Sequence, residues 1–274
     1  MTKPHKIQFI LVAVAICLFV LLFTAPKTHT NNEVKVANKT ESSSATVQVF
    51  LISVEKTLAL RDKQLYDSLT LVANQSKSDT AYSSLVKFWD LRKRPDLAAF
   101  FVEKMALRKD SSNSYVKAGD RYYYAIRFTK DNNEIPTLYE SATRCYQKAI
   151  DLDAKNNNAK IQLAACYVEG SQDPMKGITL LREVEKIDSN NVKLQLNFAF
   201  FSVKSQQWDK AIRRFEKVLL IDPLYIEAYL HLADAYEQKG DKTKTIEMLE
   251  KYASVTNDAM AKQEVLKYIE QLKK

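Results

Sequence analysis

DKAIRRFEKVLLIDPLYIEAYLHLADAYEQKGD, residues 209–241, is the stretch from which the fold can be read. Ala211, Ile212, Phe215, Val218 and Leu219 fall on one face of a 3.6-residue period, which predicts an amphipathic helix. Asp222 and Pro223 interrupt it. Ala228, Tyr229, Leu232, Ala233 and Tyr236 then repeat the pattern up to Gly240. Pro223 and Gly240 are helix-stopping residues at the two ends. Small residues at 211 and 233 leave room for two helices to approach closely. The stretch therefore predicts two antiparallel helices joined by a short turn.

Similar blocks recur upstream at a period near 34 residues, the mark of a solenoid. They divide as 79–111, 112–156, 157–191, 192–225 and 226–259. The first carries Tyr82, Leu85, Val86 and Trp89, then Ala98, Val102 and Met105. The second carries Tyr115, Ala118, Gly119 and Tyr122, then Ala142, Tyr146 and Ala149. The third carries Leu163, Ala164 and Tyr167, then Gly177, Leu181 and Val184. Phe198, Ala199, Ala211, Phe215 and Val218 mark the fourth. The second block holds about eleven extra residues around positions 130–136. Residues 260–274 read as an amphipathic capping helix, with Val265, Ile269 and Leu272 on one side. Residues 46–78 read as degenerate N-terminal capping helices.

Composition agrees with an all-α chain. Gly is 4 and Pro is 6 of 274 residues, too few for the frequent turns of a β-sandwich or the Gly-rich loops of a doubly wound enzyme. The excess of 41 basic over 33 acidic residues is interspersed, so it reads as a solvated surface and not a nucleic-acid face. The chain lacks G-x-x-x-x-G-K-[ST], H-E-x-x-H, C-x-x-C and G-x-S-x-G motifs. Of 3 His, only His231 lies within the blocks. No catalytic residue, cofactor, metal or small-molecule substrate is expected. Cys145 and Cys166 fall on helices expected to be neighbours. A disulfide and two separate buried thiols both fit that placement, and the buried thiols are the simpler reading.

The N-terminus is of another kind. A short basic tail, residues 1–6, precedes IQFILVAVAICLFVLLFTA, residues 7–25, which has no charge. As a helix this run spans about 28 Å, close to a bilayer's hydrocarbon core. Phe23 and Pro26 fit a signal-peptidase site poorly, so the run is expected to remain as a transmembrane anchor. Lys3 and Lys6 lie before it and Lys27, Lys35 and Lys39 after it, spread among acids. That gives a lean toward N-terminus in and domain out. Residues 26–45 read as a flexible polar tether.

The blocks resemble the tetratricopeptide repeat, on the residues of 209–241 and their upstream counterparts. The resemblance implies a helical-hairpin solenoid of about five repeats plus caps, behind the single anchor helix. It also implies that the first helix of each repeat lines a concave groove that binds protein partners. Carried over by position, the groove residues are Tyr123 and Tyr124, with Lys117 and Asp120, from the second repeat. The third gives Ile161, Gln162, Ala165 and Val168. The fourth gives Leu196, Asn197, Phe200 and Val203. The fifth gives Leu230, His231, Asp234 and Glu237. The groove is thus expected to be apolar in its middle and acidic at one end. An open binding strip and a strip packed on itself are both compatible with this pattern. Of the cations and amides that make the family's carboxylate clamps, only Lys87 and Asn197 have counterparts, three repeats apart.

The expectation for function is a non-enzymatic, membrane-anchored scaffold, its repeats on the periplasmic side of a bacterial inner membrane. Its architecture is similar to the ancillary repeat subunit of the secretion translocon and to repeat proteins of cytochrome c maturation. The alternative is a cytosol-facing receptor for precursor proteins on an organelle membrane.

Overall fold

The computed structural model describes residues 51–274, apart from residues 53, 77, 130, 171 and 172. The basic tail, the apolar run 7–25, the tether 26–45 and residues 46–50 lie outside the described residues. Among the described residues no helix is long and apolar enough to cross a membrane.

The described chain is all-helical. α1 (Leu60–Ser76) is followed by α2 (Asp79–Leu91), α3 (Pro95–Lys109), α4 (Ser112–Ile126) and α5 (Ile135–Leu152). Then come α6 (Asn157–Gly170), α7 (Pro174–Ile187), α8 (Val192–Lys204) and α9 (Trp208–Ile221). α10 (Glu227–Gln238), α11 (Lys242–Val255) and α12 (Ala259–Lys273) complete it, and no strand occurs among the described residues. Each helix packs on the next, within the hairpins α2–α3, α4–α5, α6–α7, α8–α9 and α10–α11 and also between them, as at α3–α4, with α1 and α12 packed at the ends.

Local chemistry fixes these boundaries. Ser78 caps α2 by accepting from the Ala81 N–H, and Ser111 and Ser114 form a capping box on α4. Asn156 and Asn191 play the same part before α6 and α8, accepting from the N–H groups of Ala159 and Leu194. Second helices start differently. Pro95, Pro136 and Pro174 occupy first-turn positions of α3, α5 and α7, where a missing N–H costs nothing. Within pairs the links are residues 92–94, 205–207 and 239–241, each turning through one left-handed residue: Lys93, Gln206 and Gly240. The exception is residues 127–134 between α4 and α5. The extra length expected at 130–136 is shared between this link and α5 itself, which has 18 residues.

The core is a series of local clusters and not one centre. Leu85, Phe88, Trp89, Leu97 and Phe101 pack with Tyr66 at the N-terminal end. Tyr122, Ala142, Cys145, Tyr146 and Cys166 form the next. Ile161, Leu181, Val184, Leu194 and Phe198 form a third, and Phe215, Leu232, Met248 and Ile269 a fourth. Each pair buries its apolar face only against its neighbours, as a solenoid requires. One buried ion pair adds to this: Glu103 on α3 accepts from Arg144 on α5 at 2.8 Å and from the Tyr122 hydroxyl on α4 at 2.7 Å.

Helix approach sets the spacing. A Cβ on Gly177 would lie 2.5 Å from the Ala164 carbonyl oxygen, so the backbones of α6 and α7 touch. Ala211 in α9 is fully buried. In a free helix Gly→Ala stabilises by about 1 kcal/mol. At Gly177 the sign should reverse, because backbone cannot move aside as a side chain can. Gly177→Ala and Ala211→Leu should each cost roughly 1–3 kcal/mol in denaturant melts followed by circular dichroism. A parental midpoint for either variant would show that its helix pair packs in another register.

Candidate protein-binding surface

The spacing of the helices decides which surface is available. α4 approaches α6, and α6 approaches α8, whereas α3, α5, α7 and α9 stand further from one another. First helices therefore line the inner side of the array, and second helices spread over the outer side.

Side chains tie neighbouring first helices together across that inner side. Arg121 on α4 reaches Asp90 on α2. Asp120 accepts from Gln162 on α6 at 3.0 Å and from the Tyr146 hydroxyl at 2.8 Å. Glu169 on α6 accepts from the Tyr123 hydroxyl at 2.6 Å and from Tyr139 at 3.1 Å. Lys193 on α8 donates to Asn158 on α6 at 3.0 Å, and Tyr268 on α12 donates to Glu237 on α10. The members of this polar ladder belong to different repeats, so no local sequence pattern brings them together.

The groove residues expected from sequence separate into three groups. Ile161 and Ala165 are core residues and are corrected: both are buried in the cluster of Leu181, Val184 and Leu194. The reason lies in α6, where Ala159, Ile161, Leu163, Ala164, Ala165 and Cys166 are all buried. Buried apolar and small positions thus wrap most of the helix, leaving a narrow polar strip of Asn158, Gln162 and Glu169. Val168 is half-buried against the same cluster. Tyr123 is also half-buried, with its hydroxyl committed to Glu169.

The remaining residues face outward or are partly covered. Tyr124 is exposed and packs its ring on exposed Phe128 at 4.5 Å. Asp234 and Glu237 are exposed, and Leu196, Asn197, Val203 and Leu230 are half-buried. Phe200 is 39% exposed. Its ring meets Phe215 edge-on at 5.4 Å and His231 edge-on at 4.9 Å. His231 stacks on Phe215 at 5.0 Å. Three rings from α8, α9 and α10 thus make one aromatic step on the inner side, with Asp234 and Glu237 beyond it.

Burial among these rings pushes the His231 imidazole below its ordinary value, against the opposing pull of Asp234 and Glu227. At neutral pH the ring is uncharged, which suits an apolar contact. Cys145 and Cys166 are free thiols in one core cluster, and burial pushes both upward, away from the reactive thiolate. Among the described residues no group of three His, Cys, Asp or Glu side chains could hold a metal.

Residues 202–263 match the family model for the tetratricopeptide repeat. Solved structures agree at the level of fold. A tetratricopeptide repeat protein from Parabacteroides merdae superposes with a TM-score of 0.55 at 12% identity, covering 86% of this chain and 87% of that one. PilW, a widely conserved type IV pilus biogenesis factor, gives 0.53 at 13% identity, covering 83% of this chain and 98% of its own. The match thus supports tetratricopeptide repeats at residues 202–263, and the solved structures share the all-helical fold. Superkiller protein 3 of Schizosaccharomyces pombe is 28% identical over 106 residues, 36% of this chain. The chain spans only 8% of that relative's length.

The depressed His231 value has a consequence for stability. The unfolded chain binds the proton more readily, so stability is complete above about pH 6.5 and falls as pH drops toward the lowered folded value. Urea midpoints at pH 7.5 and 5.5 should differ more for the parent than for His231→Gln. Equal differences would place His231 in water and not against Phe215.

Proposed function

We propose that this chain is a membrane-anchored, non-enzymatic adaptor that holds a partner protein on the inner side of its repeats during cell-envelope assembly. The observation that carries the reading is the aromatic step of Phe200, Phe215 and His231. An exposed ring supported from below by a buried one, beside half-buried Leu196, Val203 and Leu230, is the composition of a protein-binding centre. The acidic rim at Asp234 and Glu237 then governs register and salt dependence. The anchor belongs to the same proposal. Residues 7–25 have the length and composition to span a bilayer and residues 26–45 those of a tether. The envelope setting, on the periplasmic side of a bacterial inner membrane, draws support from the pilus-biogenesis role named for PilW.

A photocrosslinking residue at Phe200, in native membranes, should give a protein adduct, and the same residue at exposed Leu220 of α9 should not. Phe200→Ala should weaken the capture several-fold. It should destabilise the fold by less than Phe215→Ala, whose loss of a buried ring costs about 3–5 kcal/mol. Unchanged capture by a well-folded Phe200→Ala variant excludes the inner side as the binding surface. For topology, a C-terminal alkaline phosphatase fusion should be active. An inactive fusion together with an active cytosolic reporter would reverse the orientation.

A further inference from the structure

A cleft lies on the outer side, away from the aromatic step. It has a volume of about 650 Å³ and is bounded by α7 and α9, with α8 as its floor. It arises at one seam. Among consecutive helices, α7 and α8 are the least closely packed pair. Leu181 and Val184 of α7 meet Leu194 and Phe198 of α8 there, and a polar group sits beside them. Gln195 on α8 is fully buried and donates to the Ser189 carbonyl at 2.7 Å. Its side-chain oxygen accepts from Arg214 of α9 at 2.8 Å, and Arg214 also pairs with Glu185 of α7. The Arg214 guanidinium lies 4.3 Å over the Phe198 ring. This set links α7, α8 and α9 at the edge of the cleft.

The walls and floor differ in chemistry. Phe198 and Phe201 form an apolar floor that continues onto Met175 and Ile178 of α7. Arg182, Lys210, Arg213 and Lys217 surround it. The single carboxylate on the lining, Glu185, is already committed to Arg214. Arg182 on one wall and Lys217 on the other make no ion pair among the described residues. The volume lies within the range of about 300–1,000 Å³ found for ligand pockets.

We propose that this cleft docks an acidic peptide segment of a second partner, one that seats an aromatic or long aliphatic side chain on Phe198 and Phe201 between Asp or Glu residues. Charge complementarity selects the acid. The apolar floor selects a peptide over a nucleic-acid backbone, which wants a continuous cationic track and gains nothing from burying Met175 and Ile178. The site is distinct from the inner surface, so the protein can hold two partners at once.

The test is selection of random 12-residue peptides displayed on phage against the full-length chain in detergent micelles. Peptides combining Asp or Glu with Trp, Phe or Leu should be enriched. Their synthetic forms should bind Arg182→Glu/Lys217→Glu roughly tenfold or more weakly. They should bind Phe200→Ala as they bind the parent, which separates this site from the inner one. If the charge reversals lower the melting temperature, Arg182→Gln/Lys217→Gln serves instead, with a smaller loss expected. The proposal fails if the enriched peptides carry no acidic residues, or if they bind the double variant as well as the parent. It also fails if they lose affinity on Phe200→Ala alone. Binding of a 20-nucleotide oligo-dT that is tighter than that of the peptides, and is lost on the double variant, would make the cleft a nucleic-acid site and overturn it.

Discussion

Backbone contact between paired helices governs this architecture. Gly177 lets α7 lie against the Ala164 carbonyl, and a Cβ on Gly119 would lie 2.6 Å from the Tyr146 ring. Ala142, Ala199, Ala211 and Ala233 keep the same proximity elsewhere. Close pairs leave little volume inside each hairpin, so the larger side chains must find cover in the next pair. Phe215 does so by stacking on His231 of the next hairpin, and its burial joins hairpin to hairpin. Curvature follows from the same constraint. In the middle of the array α4, α6 and α8 approach one another and the second helices spread, giving an inner side that can be bridged by side chains and an outer side that opens into a cleft.

Polar groups then set the register that small residues permit. Glu103 with Arg144 and Tyr122, Asp120 with Gln162, and Glu169 with Tyr123 each join elements that are far apart in sequence. A buried ion pair of this kind adds little net stability over a well-packed apolar substitute, but removing one partner strands the other. Such contacts act as selectors among packings of similar energy. At the α7–α8 seam the selection has a structural consequence. Gln195, Arg214 and Glu185 are linked there, and α7 and α8 are the least closely packed of the consecutive helices.

The helices and their close pairing were legible because they depend on short-range chemistry. Apolar period, Ala and Gly at contact positions, Pro at first turns and Asn or Ser at caps all act within one or two helical turns. The surface was less legible. Phe200, His231, Asp234 and Glu237 could be placed because α8 and α10 have polar positions that distinguish one face from another. In α6 apolar and small residues surround all but a narrow strip of Asn158, Gln162 and Glu169, so neighbouring positions could not be told apart, and Ile161 and Ala165 proved to be core. The outer cleft left no trace as a motif, since Arg182 and Lys217 lie 35 positions apart and meet only through the repeat itself.

That last relation bears on how such an array acquires function. A repeat places equivalent positions of successive second helices side by side, so one substitution per unit builds a surface feature without disturbing the core beneath. Arg182 and Lys217 come from successive second helices at neighbouring, not equivalent, positions, since Leu181 with Phe215 and Val184 with Val218 set the register, and Leu181 and Val184 on the adjoining face remain buried. The inner side is different. There the positions that could vary already tie first helices together through Asp120, Glu169 and Asn158, and changing them disturbs the curvature. A partner on the inner side must therefore accept the shape that the ladder fixes. The outer side can gain charge or apolar surface one repeat at a time. Shape on one side and charge on the other give the solenoid two separable modes of recognition.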